Sequence, residues 1–170
     1  MSIRASKIAT LSFKSIQFIF YILSSPPVKP VNQIMALLEK QLIVKRSSIP
    51  GSGKGLFTKK FIPKGTRIVE YKGKITTWKE VKHNDGANGY IYYVSRNHVI
   101  DAHTYKKSLA RYANDARGLQ QIKGITNNSA YVHDKLRVFI EAVKDIPANS
   151  EILVAYGKEY WDAIKHNSKM

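Results

Sequence analysis

The sequence has no cysteine in its 170 residues. That absence removes disulfides, thiolate zinc sites and a cysteine nucleophile together, and it suits a reducing compartment. Histidine is scarce as well. His83, His98, His103, His133 and His166 stand far apart, with no HExxH and no paired carboxylate spacing, so no metal site is indicated. No apolar run is long enough to cross a membrane; Ile16 to Leu23 falls well short. Acidic residues are also few, 12 against 28 lysines and arginines, which leaves a net charge of +16. Such a surface gathers polyanions, so nucleic acid, acidic protein and anionic lipid are all admissible partners. The basic residues run from Arg4 to Lys169 without forming one arm. A solvated basic surface and a dedicated DNA-binding face therefore stand level at this point.

What is present belongs to an ordinary globular chain: 44% hydrophobic and 24% charged residues give one compact domain plus a short extension. Residues 1–34 contain no acid and read differently from the rest. Arg4, Lys7 and Lys14 precede the apolar run, and Ser24-Ser25-Pro26-Pro27 follows it. The segment has the outline of a signal peptide or an amphipathic presequence. The favoured reading places the true start at Met35, with 1–34 outside the fold, a domain over 35–165 and a tail over 166–170. Without 1–34 there remain 24 basic against 12 acidic residues, +12, so the basic character belongs to the domain. That start fits a cytoplasmic, nucleoid or nuclear protein with no stable membrane insertion, and the leader leaves export or organelle targeting open.

From Gln41 onward, short β-branched runs alternate with Gly, Pro and Asn. Strands are expected at Leu42–Val44, Gly55–Thr58, Arg67–Tyr71, Arg137–Val143 and Glu151–Tyr156. Tyr90–Val94 and His98–Ile100 read as a hairpin around Ser95-Arg96-Asn97, and Trp78–His83 as a short helix. With almost no helix between the strands, the fold class is mainly β.

Gly51-Ser52-Gly53-Lys54-Gly55 invites a nucleotide reading, which the spacing rejects. A P-loop needs Ser or Thr at Gly55 and Gly at Ser48, and a dinucleotide fingerprint needs Gly at Thr58 followed by a helix. What remains is a glycine-rich turn, on which a flat polar ligand can rest because glycine lets the backbone come close.

Three segments in order, SGKGLFTKKFIPKGTRIVEYKG, ARYANDARG and RVFIEAVKDIPANSEILVAYG, resemble the SET domain of protein-lysine methyltransferases, over about Leu42 to Trp161. The resemblance implies small curved β-sheets of the β-clip type, with the segment ending at Tyr156 tucked through a loop as a pseudoknot. It implies S-adenosyl-L-methionine as cofactor, a lysine side chain of another protein as substrate, and Tyr156 as the catalytic residue. By the same resemblance the cofactor is contacted by Lys54, Gly55 and Leu56 in the glycine turn, by Tyr71 of a Tyr-x-Gly that includes Gly73, and by Arg111, Tyr112 and Asn114. Aromatic walls suit a channel for a lysine stem and accept a cation face-on. Tyr90, Tyr92, Tyr93, Tyr160 and Trp161 are the candidates, although aromatics in β-runs also serve as core or cross-strand pairs.

The match departs from the family at Asp115, where many members have His, at Ala155, where an acid precedes the tyrosine, and in lacking the cysteines of the zinc-binding flanks. The missing wall must then come from Gly157-Lys158-Glu159-Tyr160-Trp161. A lysine-rich substrate and a basic enzyme repel, so a local acidic strip (Glu70, Glu80, Asp85 and Asp101) or a nucleic-acid-bound substrate such as a histone is expected. The alternative function is a SET-fold module without turnover that holds DNA or nucleoprotein through its basic surface, a reading that Asp115 and Ala155 favour.

Overall fold

A computed structural model of the chain describes residues 37–84, 87–118 and 121–167. They belong to the second of the two units into which the chain divides, Ala36–Met170. The readings made for 1–34 and for a start at Met35, together with Asp85 and positions 168–170 of the tail, lie outside the described residues.

Among the described residues eight strands pair into three small antiparallel sheets. Strands β1 (Leu42–Arg46) and β2 (Lys54–Thr58) form a ribbon in the register Leu42↔Thr58 to Arg46↔Lys54. Strands β3 (Arg67–Glu70), β8 (Arg137–Ala142) and β7 (Ser129–Asp134) form the second sheet, with β8 central. Val138, Phe139 and Ile140 are buried in succession, so both faces of β8 are covered, because neighbouring side chains on a strand point to opposite sides. Strands β4 (Lys74–Thr76), β6 (His98–Asp101) and β5 (Ile91–Ser95) form the third sheet. The expected hairpin is β5–β6, and Ser95 pairs with His98, so its turn is Arg96-Asn97 alone. Helix α1 (Trp78–Val81) starts at a capping box in which the Thr77 N–H donates to Glu80 Oε2 at 3.3 Å, and a 3₁₀ turn (Lys82–Asn84) follows it. The mainly-β expectation holds.

The core draws Leu56 from the first sheet, Ile68, Val138 and Ile140 from the second, and Ile62, Ile146, Ile152 and Val154 from segments outside the strands. It leaves none of them any exposed surface, and Ile100 of the third sheet joins them. Each such side chain contributes about 1.5–3 kcal/mol through burial.

Glu151–Tyr156 corrects the sequence reading. It is not a strand of any sheet but makes single bridges to three separate partners: Phe57, Asn114 and Ser129. Ile152 N–H donates to the Leu56 carbonyl at 2.7 Å, and Val154 N–H to that of Asn114 at 2.8 Å. The Leu153 carbonyl accepts from the N–H groups of Asn128 and Ser129, both at 3.0 Å, and from Ser129 Oγ at 2.9 Å. The continuous apolar run Ile152-Leu153-Val154 marks this segment as buried, but its backbone partners come from three places, so no ladder forms. A second departure is helix α2 (Lys158–Asn167), whose first residues sequence reading took as the supplier of a wall without assigning a helix.

Asn128 locks the buried segment. Its Nδ2 donates to the Glu151 carbonyl at 2.7 Å and its Oδ1 accepts from Leu153 N–H at 2.9 Å, as a neighbouring strand would. Leaving two buried backbone groups without partners costs 1–3 kcal/mol each, so Asn128→Leu is expected to lower stability by about 3 kcal/mol in urea unfolding. A loss under about 0.5 kcal/mol would show that the clamp is dispensable.

Candidate functional site

The site is built outward from the glycine turn between β1 and β2. Gly51 and Gly53 take positive φ, +78° and +66°, and Ser47 N–H donates to the Gly53 carbonyl at 2.9 Å to close the loop. Behind the loop lies the buried Glu151. Its Oε1 accepts from Ser47 Oγ at 2.7 Å, and its Oε2 accepts from Ser48 N–H at 2.8 Å and from Ser48 Oγ. A Cβ on Gly55 would stand 2.1 Å from Glu151 Oε1, so the carboxylate occupies the space that a side chain at 55 would need. Asn114 completes the group: its Nδ2 donates to the Lys54 carbonyl at 3.0 Å and to Glu151 Oε1 at 3.1 Å. One amide thus joins the glycine turn, the Arg111–Asn114 stretch and the buried segment.

These pieces border a cavity of about 670 Å³, a size suited to a cofactor-like ligand. The backbone of Gly51–Lys54 lines part of it, and six aromatic residues in two triads line another part. In one triad the ring centroids of Tyr71, Tyr92 and Tyr131 lie 4.8–5.9 Å apart. In the other, Tyr156 stacks on Trp161 at 5.8 Å and 14°, and Tyr160 meets both edge-on at 4.8 and 5.1 Å. The Arg111 guanidinium lies 4.0 Å over the Tyr90 ring and donates to the His103 carbonyl at 3.0 Å. Its Nε is the only buried side-chain nitrogen or oxygen without a partner among the described residues, so it calls for an acceptor atom from a ligand.

Burial raises the phenol pKa of Tyr71, Tyr92, Tyr131, Tyr156 and Tyr160 above the ordinary tyrosine range, farthest where the ring is most enclosed. At neutral pH all five are uncharged. The Tyr156 hydroxyl donates to the Ala113 carbonyl at 2.7 Å, which fixes its proton and leaves the oxygen lone pairs as acceptors. Tyr71 is similarly held, donating to the Tyr90 carbonyl at 3.0 Å. Among the described residues that line the cavity, Asp115 is the single carboxylate.

Of the residues expected from the sequence, Lys54, Tyr71, Tyr90, Tyr92, Arg111, Tyr112, Asn114, Tyr156, Tyr160 and Trp161 all line this one cavity. Three do not. Leu56 is a core residue with no exposure, and Gly55 faces Glu151. Tyr93 points away because it follows Tyr92 on a strand; it is 53% exposed and packs edge-on against Trp78 at 5.5 Å. The three described members of the expected acidic strip are taken up in local contacts. Glu70 pairs bidentately with Arg137 at 2.8 Å, Glu80 serves the α1 cap, and Asp101 Oδ1 accepts from Asn88 and from His103 N–H. Sequence reading missed Tyr131 and Glu151. The signal for Tyr131 was a second hairpin: Ala130-Tyr131-Val132, then a turn at Lys135-Leu136, then β8, with Lys135 at φ +56°. Nothing local marks Glu151, whose side-chain partners Asn114, Ser48 and Ser47 lie 37, 103 and 104 residues away.

A family model described as the SET domain matches residues 53–157, more than half of the chain and most of the residues that line this cavity, leaving out 49–52, Tyr160 and Trp161. The chain belongs to the SET-domain family. Two relatives are similar over more than half of this chain. Histone-lysine N-methyltransferase set-17 of Caenorhabditis elegans is 28% identical over 118 residues, 69% of this chain and 41% of that protein. PR domain zinc finger protein 14 of Homo sapiens is 31% identical over 110 residues, 62% of this chain and 18% of that protein. The chain thus spans less than half the length of either. No helix among the described residues is long and apolar enough to cross a membrane.

Proposed function

We propose that this SET domain transfers a methyl group from S-adenosylmethionine to a lysine side chain of another protein. The carrying observation is the convergence on one cavity of the Gly51–Lys54 turn, Asn114 and Tyr156, segments separated by 40 or more residues in the chain. The residues present fit the cofactor. The glycine turn offers backbone at close approach, Asn114 holds that backbone in place, and Arg111 Nε has a hydrogen bond to give. When bound, S-adenosylmethionine supplies an electrophilic methyl group on a sulfonium sulfur. Among the protein's own contributions, the two aromatic triads exclude water from the acceptor side, and this desolvation favours the neutral form of the entering amine. The amine proton leaves to solvent as the lysine stem enters, because every phenol that could receive it is already protonated. The Tyr156 oxygen, held from Ala113, fixes the position of the acceptor, and orientation of this kind supplies much of the rate. The aromatic faces accommodate the cationic product.

Tyr156→Phe keeps the ring packing and removes only the hydroxyl. It is expected to retain cofactor binding while losing about a hundredfold in turnover. The assay is label transfer from S-adenosylmethionine to total cell protein, with the modified lysine located by mass spectrometry. A fully active Phe variant would take Tyr156 out of the mechanism.

Charge supports a nucleic-acid-bound protein as the substrate. From Lys40 to Val69 the chain has no acidic residue, and Lys40, Lys45, Arg46, Lys54, Lys59 and Lys60 are all exposed on or beside the β1–β2 ribbon. None of the six forms an ion pair with another described residue. Arg46 and Lys54 face each other directly across the ribbon, an arrangement that an anion between them would relieve. Methylation of such a substrate is expected to rise with added DNA and to fall as salt increases. Rates flat in both would remove nucleic acid from the proposal.

A further inference from the structure

Resting on the methyltransferase reading above, we propose that Asp115 is a positioning residue whose carboxylate fixes the Trp161 indole and the Tyr156 backbone as one rigid wall of the acceptor side. Its Oδ2 accepts from both Tyr156 N–H and Trp161 Nε1, each at 2.8 Å. Its Oδ1 accepts from Arg117 N–H and Asn127 Nδ2, again at 2.8 Å each. The side chain is only 4% exposed, and its four donors belong to the loop after Asn114, the 127 region, the end of the buried segment and helix α2.

Only a carboxylate satisfies this set. Asparagine would turn one acceptor oxygen into an NH₂ facing two donors, and histidine would offer a single acceptor nitrogen. The departure from the family's His is therefore matched in this chain by side-chain donors from Trp161 and Asn127. Two close approaches complete the seat for the helix. A Cβ on Gly118 would lie 3.1 Å from the Trp161 ring, and a Cβ on Gly89 would lie 2.8 Å from the Tyr160 hydroxyl. The first turn of α2 is thus fitted against bare backbone at both places, and Asp115 holds it there.

Burial alone would raise the Asp115 pKa. The hydrogen bonds from Trp161, Tyr156, Asn127 and Arg117 together outweigh it and hold the group below the ordinary aspartate range, so it stays ionised at neutral pH. With its lone pairs engaged, it reaches a bound cation through its field and not through contact.

The test uses the full chain carrying Trp78→Phe, so that Trp161 is the only tryptophan. Trp78 lies outside the cavity against Tyr93. In this background Asp115→Asn is expected to shift Trp161 emission to longer wavelength and to lower kcat about tenfold or more. Cofactor affinity is expected to stay within about threefold, because the glycine turn and Asn114 are untouched. Trp161→Phe, made with Trp78 intact, keeps a ring and deletes the donor. It should lower kcat similarly, and it carries the test if the Asn variant does not fold. Combined, the two substitutions should cost less than the product of their separate losses, as expected for two partners in one hydrogen bond. Unchanged emission with kcat within about twofold of the parent, or losses that multiply fully, would overturn the proposal. A parent protein that methylates nothing would overturn the functional reading instead, while the emission shift would still decide whether Asp115 seats Trp161.

Discussion

The structure depends on how one buried segment satisfies its backbone. Glu151 to Tyr156 runs through the interior without belonging to a sheet, so each buried N–H and C=O must find a partner in a different part of the chain. Leu56, Asn114, Asn128 and Ser129 supply those partners, and in doing so they bring β2, the Asn114 stretch and β7 together. The site is a consequence of that meeting. Glu151 at one end of the segment anchors the glycine turn through Ser47 and Ser48, and Tyr156 at the other end closes the aromatic wall. A loss of packing in the segment would therefore reach both sides of the cavity at once.

The electrostatics divide between surface and interior. Outside, exposed cations on the β1–β2 ribbon meet no acid for 30 residues, and each such charge is solvated at little cost. Inside, the polar groups are nearly all engaged: phenols kept protonated by burial, Asp115 saturated by four donors, and Asn114 spent on Lys54 and Glu151. A cavity of this kind changes little when a ligand enters, since its dipoles are already oriented. Arg111 Nε is the exception, a buried donor with no partner among the described residues.

Much of the fold was legible where strands are built from β-branched runs bounded by turns. Leu42–Val44, Arg67–Tyr71, the β5–β6 hairpin and Arg137–Val143 all fall on observed strands to within a residue or two. Strand β4 has three residues, too few for a period to register. Glu151–Tyr156 looked like a strand because a short buried apolar run reads the same whether its backbone partners form a ladder or come one at a time. Helix α2 was missed because Tyr160 and Trp161 read as wall material and drew attention from the helical stretch that carries them. For the site, Asn114 and Tyr156 emerged from the family resemblance, since spacing cannot show that residues 42 apart meet. Tyr92 and Tyr93 were both expected in the channel, but alternation on β5 brings only Tyr92 to the cavity. Asp115 was seen only as a departure, because its compensation by Trp161 and Asn127 is visible in three dimensions alone.

The central claim is that the cavity beside the Gly51–Lys54 turn takes S-adenosylmethionine, with Asn114 holding the turn in shape. Isothermal titration of the full chain with the cofactor tests it most directly. The account predicts one-to-one binding that weakens about tenfold or more in Asn114→Ala, the equivalent of one lost hydrogen-bonding group. No heat and no thermal stabilisation with the wild-type chain, or equal affinity in the two proteins, would contradict it.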